Sequence, residues 1–152
     1  MSLSSLVVRL RPPRTPTPNL TDHYLNQSGC TTVDGMDDVE EFNLMREALG
    51  HMEFLPEEME SVFKTIAAIL QLGNVVFDID DDDNAVVVDK SPTGPSAIAA
   101  DLFETDATLL QEALVTKTRS AMGQTIVSPL NEENANYARD ALAKAAYGRM
   151  FD

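Results

Sequence analysis

Apolar residues recur at helical spacing most strongly between Pro56 and Gly73. Pro56 suits the first turn of a helix, with Leu55 in the N-cap position and two glutamates behind it. Gly73 suits the C′ position that ends a helix. The apolar stripe between them comprises Met59, Val62, Phe63, Ile66, Ile69 and Leu70. We therefore predict a helix whose stripe faces the core.

Three shorter helices are predicted from the same kind of pattern. Asp37 followed by Glu40 forms a start like a capping box, and the apolar positions behind it are Val39, Phe42, Met45 and Leu49. After a turn-rich linker at 91–95, Ser96 is expected to cap a short helix that runs through Phe103. Asp106 is expected to cap another, which carries Leu109, Leu110, Ala113 and Leu114.

A fifth helix is predicted at the carboxyl end. Asn131 is its expected N-cap, with Glu132 and Glu133 in the first turn, where the helix dipole favours acids. Its small-residue face comprises Ala135, Ala138, Leu142, Ala145, Ala146 and Met150, which allows close approach of a neighbouring helix. Arg139, Lys144 and Arg149 lie in later turns, where cations suit the dipole.

Short β-prone runs complete the pattern. Lys117–Ser120 and Thr125–Val127 flank Gly123, which predicts a hairpin that Pro129 ends. The runs at 75–77 and 85–88 flank the acidic sequence DIDDDDN, and they either pair as a second hairpin or lie as separate strands. The sequence thus predicts a mainly α fold of about five helices with one or two small β-hairpins.

The net charge and its distribution along the chain both bear on possible partners. The net charge of −14 argues against a nucleic-acid partner, because phosphates would be repelled. Residues 1–22 carry three arginines against Asp22, so the remaining residues hold 8 bases and 24 acids. Within that acidic body, residues 113–131 contain no acid but include Lys117 and Arg119. The predicted hairpin is therefore the locally basic surface of the body.

The sequence lacks the motifs for phosphate binding, zinc binding and nucleophilic catalysis. No GxxxxGK[ST] phosphate loop occurs, His23 and His51 lack cysteine partners at zinc spacing, and no nucleophile motif is present. We therefore expect no catalytic residue and no metal site. Asp78, Asp80, Asp82 and Asp89 match EF-hand positions, but the sixth position lacks glycine and the twelfth lacks glutamate, which favours a solvated surface loop. Cys30, the single cysteine, is expected to be a small buried hydrophobe.

No apolar run approaches the length of about 18 residues that spans a membrane, and no signal-peptide pattern is present. Residues 1–22 include the extended sequence RPPRTPTP, so we expect a disordered tail, an expression tag or an artificial boundary there. A proline-motif ligand or a phosphorylated linker is the alternative for this stretch.

Residues 23–152 resemble the motor domain of myosins. The turn Tyr24–Gly29 matches a Tyr-Leu-Asn-Gln-Ser-Gly segment, and the pattern of Asp-Asp, Glu-Glu-Phe, Arg and Ala recurs at positions 37–48. IAAILQLGN at 66–74 is similar to a myosin signature, with Gln71 in place of His. The longest match runs from Pro129-Leu130 through ARDALAK at 138–144 to Tyr147 and Arg149-Met150-Phe151. Asn134 replaces the usual Gln, and Met150 replaces Leu.

The resemblance implies a fragment of the myosin motor fold, itself a P-loop NTPase, that comprises much of the upper subdomain of the actin-binding cleft. It places residues 23–152 between the first and second nucleotide switches. ATP and magnesium are then expected for the whole motor, and neither a cofactor nor ATPase activity for this chain alone. The implied setting is the cytoplasm, in association with the cytoskeleton.

The resemblance also implies partners and a site. The hairpin would contact the actin filament through Lys117, Thr118, Arg119, Gly123, Gln124 and Thr125, with both cations facing acidic actin. The closing helix would link this contact to the second switch. An edge hairpin kept soluble by charge is the simpler interpretation. Other expected partners are the remaining motor subdomains, or further copies that bind through exposed apolar patches. The alternative function is a non-motor interaction module that retains this subdomain as a scaffold.

Overall fold

The computed structural model of the chain describes residues 22–30, 33–121 and 123–152. Within these residues it contains five helices and four strands. In chain order they are α1 (Asp38–His51), α2 (Pro56–Gly73), β1 (Phe77–Ile79), β2 (Ala85–Val87), α3 (Pro95–Leu102), α4 (Ala107–Val115), β3 (Thr116–Ala121), β4 (Gln124–Pro129) and α5 (Glu132–Arg149). The prediction of a mainly α fold with small hairpins is confirmed.

Both pairs of strands form antiparallel hairpins. β1 pairs with β2 in the register Phe77↔Val87, so the first of the two arrangements considered for these runs is the correct one. β3 pairs with β4 from Thr116↔Pro129 at the base to Ala121↔Gln124 at the tip. Each hairpin is a separate two-stranded sheet, and the helices provide most of the packing.

Helix α2 lies at the centre because its buried residues contribute to two adjoining hydrophobic clusters. The first half of α2 supplies Phe63, Ala67 and Ala68, which pack with Leu102. The second half supplies Ile69 and Leu72 to a larger cluster with α3, α4, α5 and the β1–β2 hairpin. Of the predicted stripe, Phe63 and Ile69 are fully buried, and the other members are partly exposed.

Helix α1 packs less tightly than its pattern predicts. Asp37 is its N-cap, as expected, and accepts hydrogen bonds from the backbone amides of Val39 (2.9 Å) and Glu40 (3.2 Å). Phe42 stacks near Phe63, with ring centroids 5.2 Å apart, but α1 has no fully buried residue. No helix in the described part of the chain is long and apolar enough to cross a membrane.

The role predicted for Gly73 is wrong. The helix includes Gly73, and Asn74 is its C-cap. A Cβ atom at Gly73 would lie 2.6 Å from two ring atoms of Tyr24. The missing side chain therefore makes room for the tyrosine ring, which packs against the end of α2.

The cap predicted at Ser96 is also wrong. Gly94 is the N-cap of α3 and Pro95 occupies its first turn. Ser96 is fully buried: its hydroxyl donates to the carbonyl of Asp89 (3.3 Å) and accepts a hydrogen bond from Gln111 Nε2 (2.8 Å). It therefore connects α3 to α4 and to the chain that follows β2.

Two further expectations concern the amino-terminal part. The expectation that Cys30 is buried is wrong, because it is exposed in a surface turn that follows Gly29, at φ +67°. The tail expected at residues 1–22 lies outside the described residues apart from Asp22. The carboxylate of Asp22 accepts a 2.8 Å hydrogen bond from Asn74 Nδ2.

Candidate functional site

The base of the β3–β4 hairpin is fixed to the core by two backbone hydrogen bonds. The amide of Leu130 donates to the carbonyl of Val115 (2.8 Å), and the amide of Ala85 donates to the carbonyl of Leu130 (2.7 Å). The side chain of Leu130 is buried, as is that of Leu114. The hairpin therefore starts from a buried, hydrogen-bonded junction of α4, β2 and the chain entering α5.

Beyond this base the hairpin projects into solvent. Residues 117–120 and 124–127 are all exposed, so no part of the described chain covers either face of the ribbon. Gly123 lies in the turn at φ +76°, a conformation that favours glycine. Lys117, Thr118, Arg119, Gly123, Gln124 and Thr125 are thus brought together on one exposed element, as the sequence predicts.

The register divides these residues between two faces. Side chains alternate along a strand, and directly paired residues share a face. Lys117, paired with Ser128, therefore lies on the same face as Arg119, paired with Ile126. The opposite face carries Thr118 and its partner Val127, followed by the Ser120↔Thr125 pair. One face of the ribbon is cationic and the other carries hydroxyl groups beside an exposed valine.

The two cations of the hairpin form no ion pair with any described residue. The four ion pairs found in this part of the chain involve Lys64, Arg139 and Arg149 as the cationic partners. Thr116, at the base, directs its hydroxyl to the carbonyl of Glu112 (2.8 Å). Lys117 and Arg119 are therefore available to an anionic partner, although the body of the protein is strongly acidic.

Helix α5 is attached to the core by an arginine that the sequence analysis explained only by the helix dipole. Arg139 is 7% exposed. Its Nη1 donates to the carbonyl of Val75 (3.0 Å), and its Nε donates to Asp140 Oδ1 (2.9 Å). The buried face of α5 is Ala135, Arg139 and Ala143, so the predicted face of the helix was rotated: Leu142 is 37% exposed and Ala145 is exposed.

A tyrosine completes this joint. Tyr24 Oη donates a 2.6 Å hydrogen bond to Asp140 Oδ1. Partial burial and the neighbouring carboxylate raise the pKa of Tyr24 to about 12. Burial acts to raise the pKa of Asp140, but hydrogen bonds from Arg139 and Tyr24 outweigh it and hold that pKa below its ordinary value. We refer to Tyr24, Val75, Arg139 and Asp140 as the α5 joint.

Sequence reasoning missed the α5 joint because each member has an ordinary local explanation. One signal was present: Arg139 lies four residues from both Ala135 and Ala143, so it shares one side of the helix with two alanines. An arginine at that place in the pattern is expected to be buried with its neighbours.

The acidic loop between β1 and β2 is organised by its own hydrogen bonds. Asp80 Oδ1 accepts from the amides of Asp82 (3.0 Å) and Asn84 (2.8 Å), and Oδ2 accepts from Asn84 Nδ2 (3.2 Å). The backbone bond from Asn84 is the largest of the effects that lower the pKa of Asp80. Among the described residues no three His, Cys, Asp or Glu side chains are grouped closely enough to hold a metal ion.

The sequence that forms these helices and the cationic hairpin matches a known protein family. The family model for the myosin head (motor domain) matches residues 17–152, and the chain therefore belongs to that family. It is 42% identical over 130 residues to Myosin-13 of Arabidopsis thaliana, a match that covers 85% of this chain and 9% of that protein.

Relatives from other organisms match a similar share of the chain. It is 39% identical over 129 residues to unconventional myosin-Ic of Gallus gallus, covering 85% of this chain and 12% of that protein. It is 41% identical over 137 residues to the myosin ID heavy chain of Dictyostelium discoideum, covering 86% of this chain and 12% of that protein. The chain spans about a tenth of the length of these relatives.

Proposed function

We propose that this chain acts as part of an actin-based, ATP-driven motor of the cytoskeleton. In this proposal residues 23–152 form much of the upper subdomain of the actin-binding cleft. The family match supports the motor origin, and the projecting cationic hairpin is the observation that supports the actin contact. The remaining motor subdomains would then be its permanent partners, and the cytoplasm its location.

The proposed contact is made by Lys117, Thr118, Arg119, Gly123, Gln124 and Thr125. Lys117 and Arg119 share one face of the ribbon and form no ion pair within the described chain, so an anionic filament surface can take both. The hairpin is small compared with a stable protein interface, and we therefore expect weak binding by this chain alone.

Helix α5 is the proposed link between the filament contact and the second nucleotide switch. β4 leads into α5 through Leu130, which is buried and hydrogen-bonded on both sides. Movement of the hairpin base therefore acts on the first turn of α5. The α5 joint connects the middle of the same helix to the end of α2, so a displacement of α5 would also move core residues at that end of α2.

The chemistry of ATP hydrolysis is assigned to other parts of the motor. ATP and magnesium do not fit the residues present, because the chain has no phosphate-loop motif and its described residues form no cluster of metal ligands. We expect the purified chain to release no phosphate from ATP, with or without actin filaments. Actin-stimulated turnover by the pure chain would contradict this assignment.

Cosedimentation with actin filaments at low and moderate salt tests the hairpin contact. Lys117→Glu combined with Arg119→Glu should weaken binding strongly, since two favourable charges become repulsive. Lys90→Glu combined with Lys144→Glu is the matched control, because it changes the net charge equally at exposed positions outside the hairpin. Equal losses in both double variants would show a general charge effect and refute the contact.

A non-motor module that keeps this subdomain as a scaffold is the alternative. It is favoured by one observation, that the described residues bury two hydrophobic clusters of their own. The sequence that flanks residues 23–152 in the gene separates the two functions. The motor requires a phosphate loop and a first switch on one side and a second switch on the other.

A further inference from the structure

Helix α1 presents an apolar surface that no described residue covers. Met45 and Ala48 are three residues apart on one side of the helix, and Met52, four residues further, caps its end. Met45 is 43% and Met52 62% exposed, and Phe54 and Leu55, just beyond the helix, are also exposed. We call these five residues the α1 surface. Because α1 has no fully buried residue, this side of the molecule remains open to a binding partner.

The charge around the α1 surface restricts what can bind there. Residues 33–58 contain nine acidic residues, and Arg46 is the only Lys or Arg among them. Asp38 and Glu41, both in the first turn of α1, are exposed. A partner must therefore combine aliphatic side chains with several positive charges.

One segment of the chain has this composition. Residues 1–14 carry three arginines and no acidic residue. Their aliphatic side chains are Leu3, Leu6, Val7, Val8 and Leu10. These residues lie outside the described part of the structure. We propose that residues 1–14 bind the α1 surface of the same chain, with aliphatic side chains on the methionines and arginines beside the flanking carboxylates.

The distances allow this contact within one molecule. Asp22 is hydrogen-bonded to Asn74 at the end of α2, whereas α1 contacts α2 near Phe63. The stretch of α2 between Phe63 and Asn74 is about 16 Å long, at ~1.5 Å per residue. Residues 15–21 span up to about 23 Å when extended, which is longer than this stretch of α2, so the connection does not prevent residues 1–14 from approaching α1.

Attachment through this short connection also strengthens a weak contact. A segment tethered by a few residues has an effective concentration in the millimolar range at its own docking surface. A few methionine contacts and exposed charge pairs, each of which contributes little alone, are then sufficient to hold it there. The proposal does not depend on actin binding or on motor function.

Paramagnetic relaxation in the full chain tests the proposal. A spin label is attached at Ser5→Cys in a Cys30→Ser background, and the loss of amide NMR signal is measured along the chain. We expect the loss to be confined to the region of α1 and residues 52–55, and to be the same at different protein concentrations. Salt at about 1 M, where the Debye length is about 3 Å, should reduce it.

Matched control variants distinguish the proposed docking from the effects of a change in net charge or a loss of exposed apolar surface. Arg9→Glu, Arg11→Glu and Arg14→Glu together should abolish the signal loss, whereas Lys90→Glu, Lys144→Glu and Arg149→Glu, with the same change in charge, should leave it. Met45→Ser with Met52→Ser should weaken it. Leu109→Ser, at a residue 61% exposed on α4, is the control for lost apolar surface.

Three results would overturn the proposal. An absence of signal loss at α1 would show that the segment is free. A loss that grows with protein concentration would show that a second copy supplies the segment. A loss that is unchanged by the three arginine substitutions would show that charge does not direct the contact.

Discussion

Tyr24 and Asp140 are 116 positions apart in sequence, yet the Tyr24 hydroxyl lies 2.6 Å from Asp140 Oδ1. The same carboxylate oxygen accepts from Arg139 Nε, and Arg139 Nη1 reaches the carbonyl of Val75. Three separate parts of the chain therefore meet at one point: the turn before α1, the chain between α2 and β1, and the middle of α5. This joint is where we expect single substitutions to affect stability most clearly.

The hydrogen bond between Tyr24 and Asp140 can be measured by a double-mutant cycle. Tyr24→Phe should lower the free energy of unfolding by about 1 kcal/mol, because the partly buried carboxylate loses a donor. Combined with Asp140→Asn, the two effects should be less than additive by about the same amount. Urea denaturation gives each value. Tyr147→Phe, at a residue 53% exposed, is the control and should change the free energy of unfolding little. Strict additivity of the Tyr24 and Asp140 substitutions would show that the hydrogen bond contributes nothing to stability.

Alkaline pH should destabilise the fold through the same tyrosine. The pKa of Tyr24 is raised to about 12 in the folded state, whereas an unfolded tyrosine ionises near its ordinary pKa of 10.0. The unfolded state therefore releases this proton first, and the stabilisation is present below pH 10 and lost as pH rises toward 12. Urea midpoints measured across this range should fall less steeply in Tyr24→Phe than in the unchanged chain. Parallel curves for the two proteins would contradict the shifted pKa.

Arg139 should behave as a buried structural residue. Arg139→Leu removes the donor to the Val75 carbonyl and one partner of Asp140, so we expect a loss of about 2 kcal/mol in unfolding free energy. Arg139→Lys keeps the charge but not the two directed donors, and should recover only part of that loss. Arg149→Leu is the control, because the Arg149 side chain is 86% exposed. A comparable loss of unfolding free energy in this variant would contradict a special structural role for Arg139.

The elements that the sequence predicts best are those with strong local signals. The Asn131 cap is confirmed by a 3.0 Å hydrogen bond from the amide of Asn134, and Gly123 lies in the hairpin turn as expected. Asp106 likewise caps α4 by accepting from the amide of Leu109 (2.9 Å). Each of these depends on residues no more than a few positions apart, so a short window of sequence contains the whole interaction.

The features that sequence reasoning missed depend on distant partners. Ser96 is a good cap by type, but Gln111 and the carbonyl of Asp89 hold it in the core. Arg139 suits a helix surface by type, but its second acceptor, Val75, lies 64 positions earlier in the chain. The two strands of the β3–β4 hairpin were predicted correctly because their pairing involves only residues close together in sequence, with no distant partner.

At Gly73 we expect a substitution that usually stabilises a helix to destabilise the protein. Alanine in place of glycine inside a helix normally stabilises by about 0.5–1 kcal/mol. At Gly73 the new Cβ would lie 2.6 Å from the Tyr24 ring and displace it from its packing against α2. We therefore expect Gly73→Ala to lower the thermal midpoint.

Gly148 in α5 is the matched control, because a Cβ there meets nothing within 4 Å. Gly148→Ala should raise the midpoint, as helix propensity alone predicts. In a Tyr24→Ala background the steric conflict is absent, so Gly73→Ala should then stabilise like Gly148→Ala. If Gly73→Ala lowers the midpoint equally in both backgrounds, the close approach of Tyr24 is not the reason for glycine at this position.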